Sequence, residues 1–208
     1  MADLDDARAF WDKRYAAPEY IFGTEPNAFL ASRAAFVVPG MRALDVACGE
    51  GRNSVWLASR GCEVTGFDIS PLALAKASRL AEQRGVRLDL RLADVRSWDW
   101  TPEAFDLVCC VFIQFAAPGD RARLFEGLKT TLRPGGWLLM QGYTPKQVEF
   151  GTGGPPDVAH MYTPSLLEKA FADLEIVLLH EHEAILAEGT KHVGQSALID
   201  LVARKPAR

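Results

Sequence analysis

Apolar positions along this chain alternate between two spacings. Short apolar runs, bounded by glycine, proline or an acid, fall at 42–45, 64–67, 105–112 and 137–141, and an alternating run falls at 87–92. Between them, apolar residues recur every third or fourth position, the period of a helix with one buried face. Helical stretches of this kind cover 55–60, 70–84 and 118–132, with two more at 5–16 and 26–36 ahead of the first run. Ser70 before Pro71 and Thr163 before Pro164 set a capping hydroxyl ahead of a proline in the first helical turn, so a further helix is predicted over 163–172. Gly85 and the Arg133-Pro134-Gly135-Gly136 segment stop the helices before them. The continuous run 105–112 suits a strand buried on both faces. Runs at 175–182 and 196–203 close the chain as strands. Strands alternating with helices predict an α/β fold, a doubly wound, mostly parallel sheet. With no repeat and no linker composition, the expectation is one domain over 1–208, in which 1–38 form an N-terminal helical lid and 39–208 the sheet core.

The chemistry begins where the first strand ends. Asp45-Val46-Ala47-Cys48-Gly49-Glu50-Gly51-Arg52-Asn53 is an acid, a glycine-bearing turn and a helix start. Glycine lets the backbone approach a ligand closely, and the first turn of a helix directs free N–H groups at it. A dinucleotide site would present Gly-x-Gly-x-x-Gly for a pyrophosphate. Here the third glycine is Ser54, and two carboxylates, Asp45 and Glu50, flank the turn. Both would repel a pyrophosphate in a low-dielectric pocket. A cofactor with a cationic amino-acid tail and no phosphate suits them, which points to S-adenosylmethionine. Asp68, at the end of the second strand, can accept hydrogen bonds from both ribose hydroxyls. Asp94, after the third, can accept one from an adenine amino group. The bland alternative is that each acid only ends a strand or caps a helix.

These residues resemble the class I S-adenosylmethionine-dependent methyltransferases over roughly 40–145. The family's first motif is Asp/Glu-x-Gly-x-Gly-x-Gly, and this chain departs from it by carrying Ala47 at the first glycine. The resemblance implies a seven-stranded sheet whose last strand, 196–203, is antiparallel. It implies that Ala47, Gly49 and Arg52 line the methionine end, that Asp68 and Ile69 hold ribose and flank adenine, and that Asp94 and Val95 contact adenine. It also implies a product, S-adenosylhomocysteine. Within that class the closer resemblance is to small bacterial enzymes like the tellurite-resistance and thiopurine-type methyltransferases. In the latter a Phe-Trp-x-x-Arg segment, here Phe10-Trp11-Asp12-Lys13-Arg14, covers the cofactor. The alternative for Phe10, Trp11 and Tyr15 is that they pack their helix onto the sheet.

Composition narrows the partners. Of 208 residues 49% are hydrophobic, enough for a full core, and the net charge of −4 opposes a broad nucleic-acid footprint. Four cysteines without a Cys-x-x-Cys pair oppose a structural zinc site and suit a reducing cytoplasm. Cys48, in the turn, is either loop packing or a nucleophile. The acidic start Met1-Ala2-Asp3-Leu4-Asp5-Asp6 does not read as a signal peptide, and no apolar stretch reaches membrane-spanning length. The expectation is a cytoplasmic enzyme, monomer or homodimer.

Methyl transfer needs alignment above all, because its leaving group is a neutral thioether. A base is required only when the acceptor must lose a proton. Val111, ending the fourth strand, is expected beside the cofactor, and Gln114 either orients substrate or satisfies backbone groups. His192 follows Glu188-Gly189-Thr190-Lys191 in a Glu-Gly-x-x-His segment shared with similar small methyltransferases. It is the candidate for contacting substrate or taking a proton, the alternative being an exposed loop histidine. His180 and His182 alternate at a spacing seen in metal sites, but no third ligand lies nearby in sequence, so no metal is expected. The leading reading is transfer to a small molecule such as a chalcogen oxyanion or thiol. The rivals are a protein or RNA methyltransferase, a nicotinamide-dependent oxidoreductase and a binding protein without turnover.

Overall fold

The computed structural model describes residues 4–207; Met1 to Asp3 of the acidic start, and Arg208, lie outside the described residues. The strands are β1 (Arg42–Val46), β2 (Glu63–Asp68), β3 (Asp89–Leu92), β4 (Phe105–Val111), β5 (Leu132–Tyr143), β6 (Glu175–Glu188) and β7 (His192–Arg204). They form a seven-stranded sheet in the order β3-β2-β1-β4-β5-β7-β6. β1 with β2, β2 with β3, and β4 with β5 pair in parallel. β7 runs antiparallel to β5, with Trp137 opposite Arg204 and Tyr143 opposite Leu198. The doubly wound sheet with an antiparallel last strand is the architecture expected from the alternation of periods and the resemblance.

The chain forms two compact units, residues 4–98 with 188–190 and residues 99–187 with 191–207. In the first, α1 (Leu4–Tyr15), α2 (Ala28–Ser32), α3 (Arg52–Ser59) and α4 (Pro71–Arg84) accompany β1 to β3. Leu44, Leu57 and Phe67 are fully buried, each worth roughly 1.5–3 kcal/mol relative to exposure. α1 packs on α4: Tyr15, Ile21 and Ala73 form a cluster joined by Trp11, Ala17 and Phe22. Trp11 and Tyr15 therefore pack, but onto a helix rather than onto the sheet, while Phe10 is exposed. Ser70 caps α4 through the Ala73 N–H at 3.2 Å, and Gly85 closes it in the left-handed conformation.

The second unit carries β4 to β7 with α5 (Pro118–Thr131), α6 (Gln147–Phe150) and α7 (Pro164–Ala170). Its core includes Leu107, Val108, Leu128, Leu138 and Phe171, together with the buried thiols Cys109 and Cys110 acting as small hydrophobes.

Several elements differ from expectation. The helix expected over 26–36 is cut to α2, which Asn27 caps at its start by accepting from the Leu30 N–H at 3.1 Å. A 3₁₀ turn, Ala34–Phe36, follows before Pro39, which disfavours helix in the residue preceding it. The Arg133–Gly136 turn lies inside β5, where pairing slips between Phe105–Leu132 and Leu107–Trp137 and the intervening residues bulge. β6 extends past His182 to Glu188, because it is the outermost strand and its polar residues face water. Among the described residues no helix is long and apolar enough to cross a membrane.

Candidate cofactor and acceptor sites

The turn after β1 is built from three consecutive demands on the backbone. Ala47, Gly49 and Gly51 all have positive φ, at 51°, 55° and 84°. The family's glycine preference at position 47 thus has a visible cause, and this chain tolerates alanine there at some cost in strain. Gly51, as the N-cap of α3, lies so close to α4 that a Cβ would sit 2.6 Å from that of Ala77. This left-handed cap starts α3 three residues earlier than the periodicity predicts. At Gly49 a Cβ would sit 2.9 Å from the Tyr15 hydroxyl. The turn therefore has a narrow backbone cradle with the end of α1 lying over it.

Two buried carboxylates hold the turn. Asp68 accepts the N–H of Gly49 and the N–H of Ser70, both at 2.9 Å. Burial raises its pKa to about 6 against the lowering effect of those backbone bonds. Asp45 accepts the Ser54 hydroxyl at 2.6 Å, and burial raises it also to about 6, opposed by that bond and by the Arg52 charge. Burial likewise pushes the Cys48 thiol and the Tyr15 hydroxyl well above their usual ranges. Cys48 is then a protonated packing group, not a nucleophile.

Glu50 does not act as the sequence suggested. Its carboxylate is buried against Lys76 at 2.7 Å and also accepts the Phe22 N–H at 3.3 Å. Its charge is compensated, so the repulsion that excludes a pyrophosphate falls to Asp45 and Asp68. Arg52 is also engaged: it meets Glu188 at 2.7 Å and the Phe22 carbonyl at 3.1 Å. Glu188 further accepts from Asn27 Nδ2 at 3.0 Å and from the Ala28 N–H at 3.1 Å. The segment 20–28 is thus tied to the turn after β1 by hydrogen bonds to the members of two buried ion pairs, Glu50–Lys76 and Arg52–Glu188. Sequence reasoning missed Lys76, Asn27 and Glu188 in this role, because their partners are distant in the chain; Glu188-Gly189 was noticed only as the start of a histidine motif.

The remaining expected cofactor residues fall along the ends of β2 and β3. Ile69 is half-buried beside buried Asp68, so an apolar flank stands next to a carboxylate. Asp94 and Val95 are half-buried after β3. Asp94 accepts the backbone N–H of Arg96 at 2.7 Å and its guanidinium at 2.8 Å. Trp11 stacks on Tyr15 with centroids 5.7 Å apart.

A family model described as a methyltransferase domain matches residues 43–136, the stretch holding this geometry except α1, the segment 20–28 and Glu188. Over that stretch the chain is similar to S-adenosylmethionine-dependent methyltransferases. It is 33% identical over 129 residues to a ubiquinone biosynthesis O-methyltransferase of Marinobacter nauticus, covering 59% of this chain and 53% of that one. The chain thus spans about half the length of that relative. Magnesium protoporphyrin IX methyltransferase from Synechocystis with bound S-adenosylhomocysteine superposes with a TM-score of 0.70 at 16% identity, covering 97% and 99% of the two chains. A protein named as the [4+2]-cyclase SpnF superposes with 0.73 at 19% identity, covering 99% and 97%. At these identities the likeness shows the fold alone, and the cyclase shows that this fold does not dictate a single reaction.

The donor set of the methyltransferase domain fits its cofactor on its own chemistry. The narrow cradle at Gly49 and the adjacent carboxylates suit a cationic amino-acid tail. Asp68, with about four lone-pair sites and two N–H donors on them, retains capacity for ribose hydroxyls.

The second unit holds a different assembly. Val111 ends β4, half-buried, and Phe112 follows it with a positive φ of 57°. A bulky residue in that region is a strained placement. It turns the Phe112 ring onto Tyr143, stacked at 4.7 Å, and against His192, edge-on at 4.4 Å. His192 opens β7 and is half-buried on this aromatic wall, not on an exposed loop. Gln114 resolves to the backbone role: its amide donates to the Tyr143 carbonyl at 2.8 Å and accepts the Tyr143 N–H at 2.5 Å.

Proposed function

We propose that the protein methylates a small-molecule acceptor with S-adenosylmethionine, as one catalytic domain whose residues 1–38 cover the cofactor. The observation that carries the reading is Asp68, a buried carboxylate that fixes the Gly49 turn and flanks half-buried Ile69. The cover is supported by Tyr15 over Gly49 and by Asp12 of α1, which accepts a hydrogen bond from the Ser70 hydroxyl beside Asp68. In this reading Ala47, Gly49 and Asp45 serve the amino-acid tail, Asp68 and Ile69 the ribose and adenine, and Asp94 and Val95 the adenine edge. Arg52 positions the turn through Glu188. Val111 ends a strand at its carboxyl side, where ligands of doubly wound sheets bind.

Bound S-adenosylmethionine supplies a methyl group on a sulfonium, and its neutral thioether departs without an acid. The chain's own residues bind, align and, for some acceptors, take a proton. The Phe112–Tyr143–His192 wall favours a planar acceptor. A hydroxyl acceptor agrees with the names of the sequence relatives and would need His192 as base. A thiolate or chalcogen oxyanion, the expectation from the sequence, would not.

Calorimetry with S-adenosylhomocysteine tests the cofactor half: Asp68→Asn should weaken binding at least tenfold, and unaltered affinity would remove the proposal's support. A methyl-transfer screen over small phenols, thiols, selenite and tellurite tests the acceptor. A His192→Ala loss of roughly 10²–10⁴ in kcat with a phenol, and none with a thiol, assigns the base.

A further inference from the structure

Three side chains of metal-ligating type meet in the second unit, none of them used above. His180 and His182 are two apart on β6 and so share a face. Their rings are parallel within 8° with centroids 5.0 Å apart. Asp200 of β7 faces them, 5% exposed, with one carboxylate oxygen 3.1 Å from His182 Nε2. Its other oxygen accepts Nε2 of Gln141, on β5, at 2.7 Å. One ligand atom from each of His180, His182 and Asp200 lies within 4.8 Å of the other two. The sequence presented only the two histidines, because the third ligand arrives from a strand eighteen residues later through sheet pairing.

We propose that His180, His182 and Asp200 form a binding site for a divalent transition-metal ion of the zinc class. Two imidazoles and one carboxylate suit zinc, cobalt or nickel rather than magnesium or calcium, which take oxygen ligands. The spacing is right for the pair already in contact. Two ligands at roughly 2.0–2.1 Å from a tetrahedral ion lie about 3.3 Å apart, close to the 3.1 Å between His182 Nε2 and Asp200. The ion takes the place of the proton shared there. Gln141 fixes the carboxylate from behind, the usual duty of a residue bonded to a metal ligand. A hydrogen-bonded ladder of His182, Asp200 and Gln141 would account for those three residues without an ion. It leaves His180 unexplained: among the described residues it makes no hydrogen bond, yet its ring is aligned with His182 at the mouth of the cluster. His180 is exposed, so the fourth position opens to water. The ion would fasten the outermost strand β6 to β7, and its binding is independent of methyl transfer.

The test uses the full chain without a histidine tag. Cobalt(II) is titrated and followed by visible absorption, zinc(II) by calorimetry, and melting is recorded with and without zinc. The expected result is one saturable equivalent, a spectrum lacking a thiolate charge-transfer band, and a zinc-dependent rise in Tm. His180→Ala, at an exposed position that leaves the fold intact, should lower affinity at least tenfold and abolish the rise. Gln141→Leu should lower affinity roughly 10–100-fold. The proposal is overturned by no saturable binding, by a thiolate spectrum, by equal binding of magnesium, or by unchanged affinity in His180→Ala.

Discussion

An Asp45→Asn substitution isolates the cost of holding a carboxylate charged beneath the cofactor turn. Asp45 is 2% exposed, and its pKa rises from 3.8 to about 6 because burial disfavours its charge. The folded state therefore binds the proton more tightly than the unfolded chain. Stability contributed by this group is fully present below pH about 4 and is lost as pH rises through about 6. With those two pKa values, linkage gives a loss of about 2 kcal/mol between pH 4.5 and 7.5, and about 3 kcal/mol once both states are ionised. Asparagine keeps an acceptor for the Ser54 hydroxyl, which donates at 2.6 Å. Its amide N–H₂ group adds a burial cost of about 1–3 kcal/mol that does not vary with pH. The slope, not the absolute stability, is thus the diagnostic quantity. Urea unfolding of the wild type and Asp45→Asn without cofactor should be run across that range. The variant should gain about 2 kcal/mol on the wild type between its ends, as an order of magnitude. Parallel pH profiles for the two proteins would refute the reasoning.

Asp68 has the same sign and adds a functional readout: with its pKa near 6, affinity for S-adenosylhomocysteine should fall below pH about 6, and the fall should be shallower by up to roughly tenfold per pH unit in Asp68→Asn, where Asp45 still titrates. Glu188→Gln removes the charge paired with the buried Arg52 guanidinium at 2.7 Å, so chemical denaturation should show a loss of about 3 kcal/mol, part of it recovered by adding Arg52→Met. Ala47→Gly relieves a left-handed alanine and should raise stability by up to about 1 kcal/mol, seen as a higher Tm without change in cofactor affinity. Gly49→Ala meets the Tyr15 hydroxyl and a φ of 55°, so it should lose at least about 1 kcal/mol, and Tyr15→Phe should restore part of that by removing the contacting oxygen.

The sequence by itself determined the layered sheet, the glycine turn and the acids at successive strand ends. Those features depend on local spacing: a period of two or three to four residues, a Ser-Pro or Thr-Pro helix start, and an acid placed just before a turn. It also determined that residue 47 is where this chain departs from the motif of the family it resembles, although the left-handed backbone behind that departure needed coordinates. Only the tertiary structure decided which charges are available. Glu50 looked like a free acid and is neutralised by Lys76; Arg52 looked like a cofactor contact and is bound to Glu188; Gln114, open between a substrate and a backbone role, satisfies Tyr143. The same holds for Asp200 beside His182 and for the aromatic wall around His192. In each case the partner lies at least 18 residues away, and no local pattern encodes it. Hydrophobic periodicity places a residue on a face of an element. Which polar group meets it there depends on strand order and register, and a buried charge acquires its role only from that neighbour.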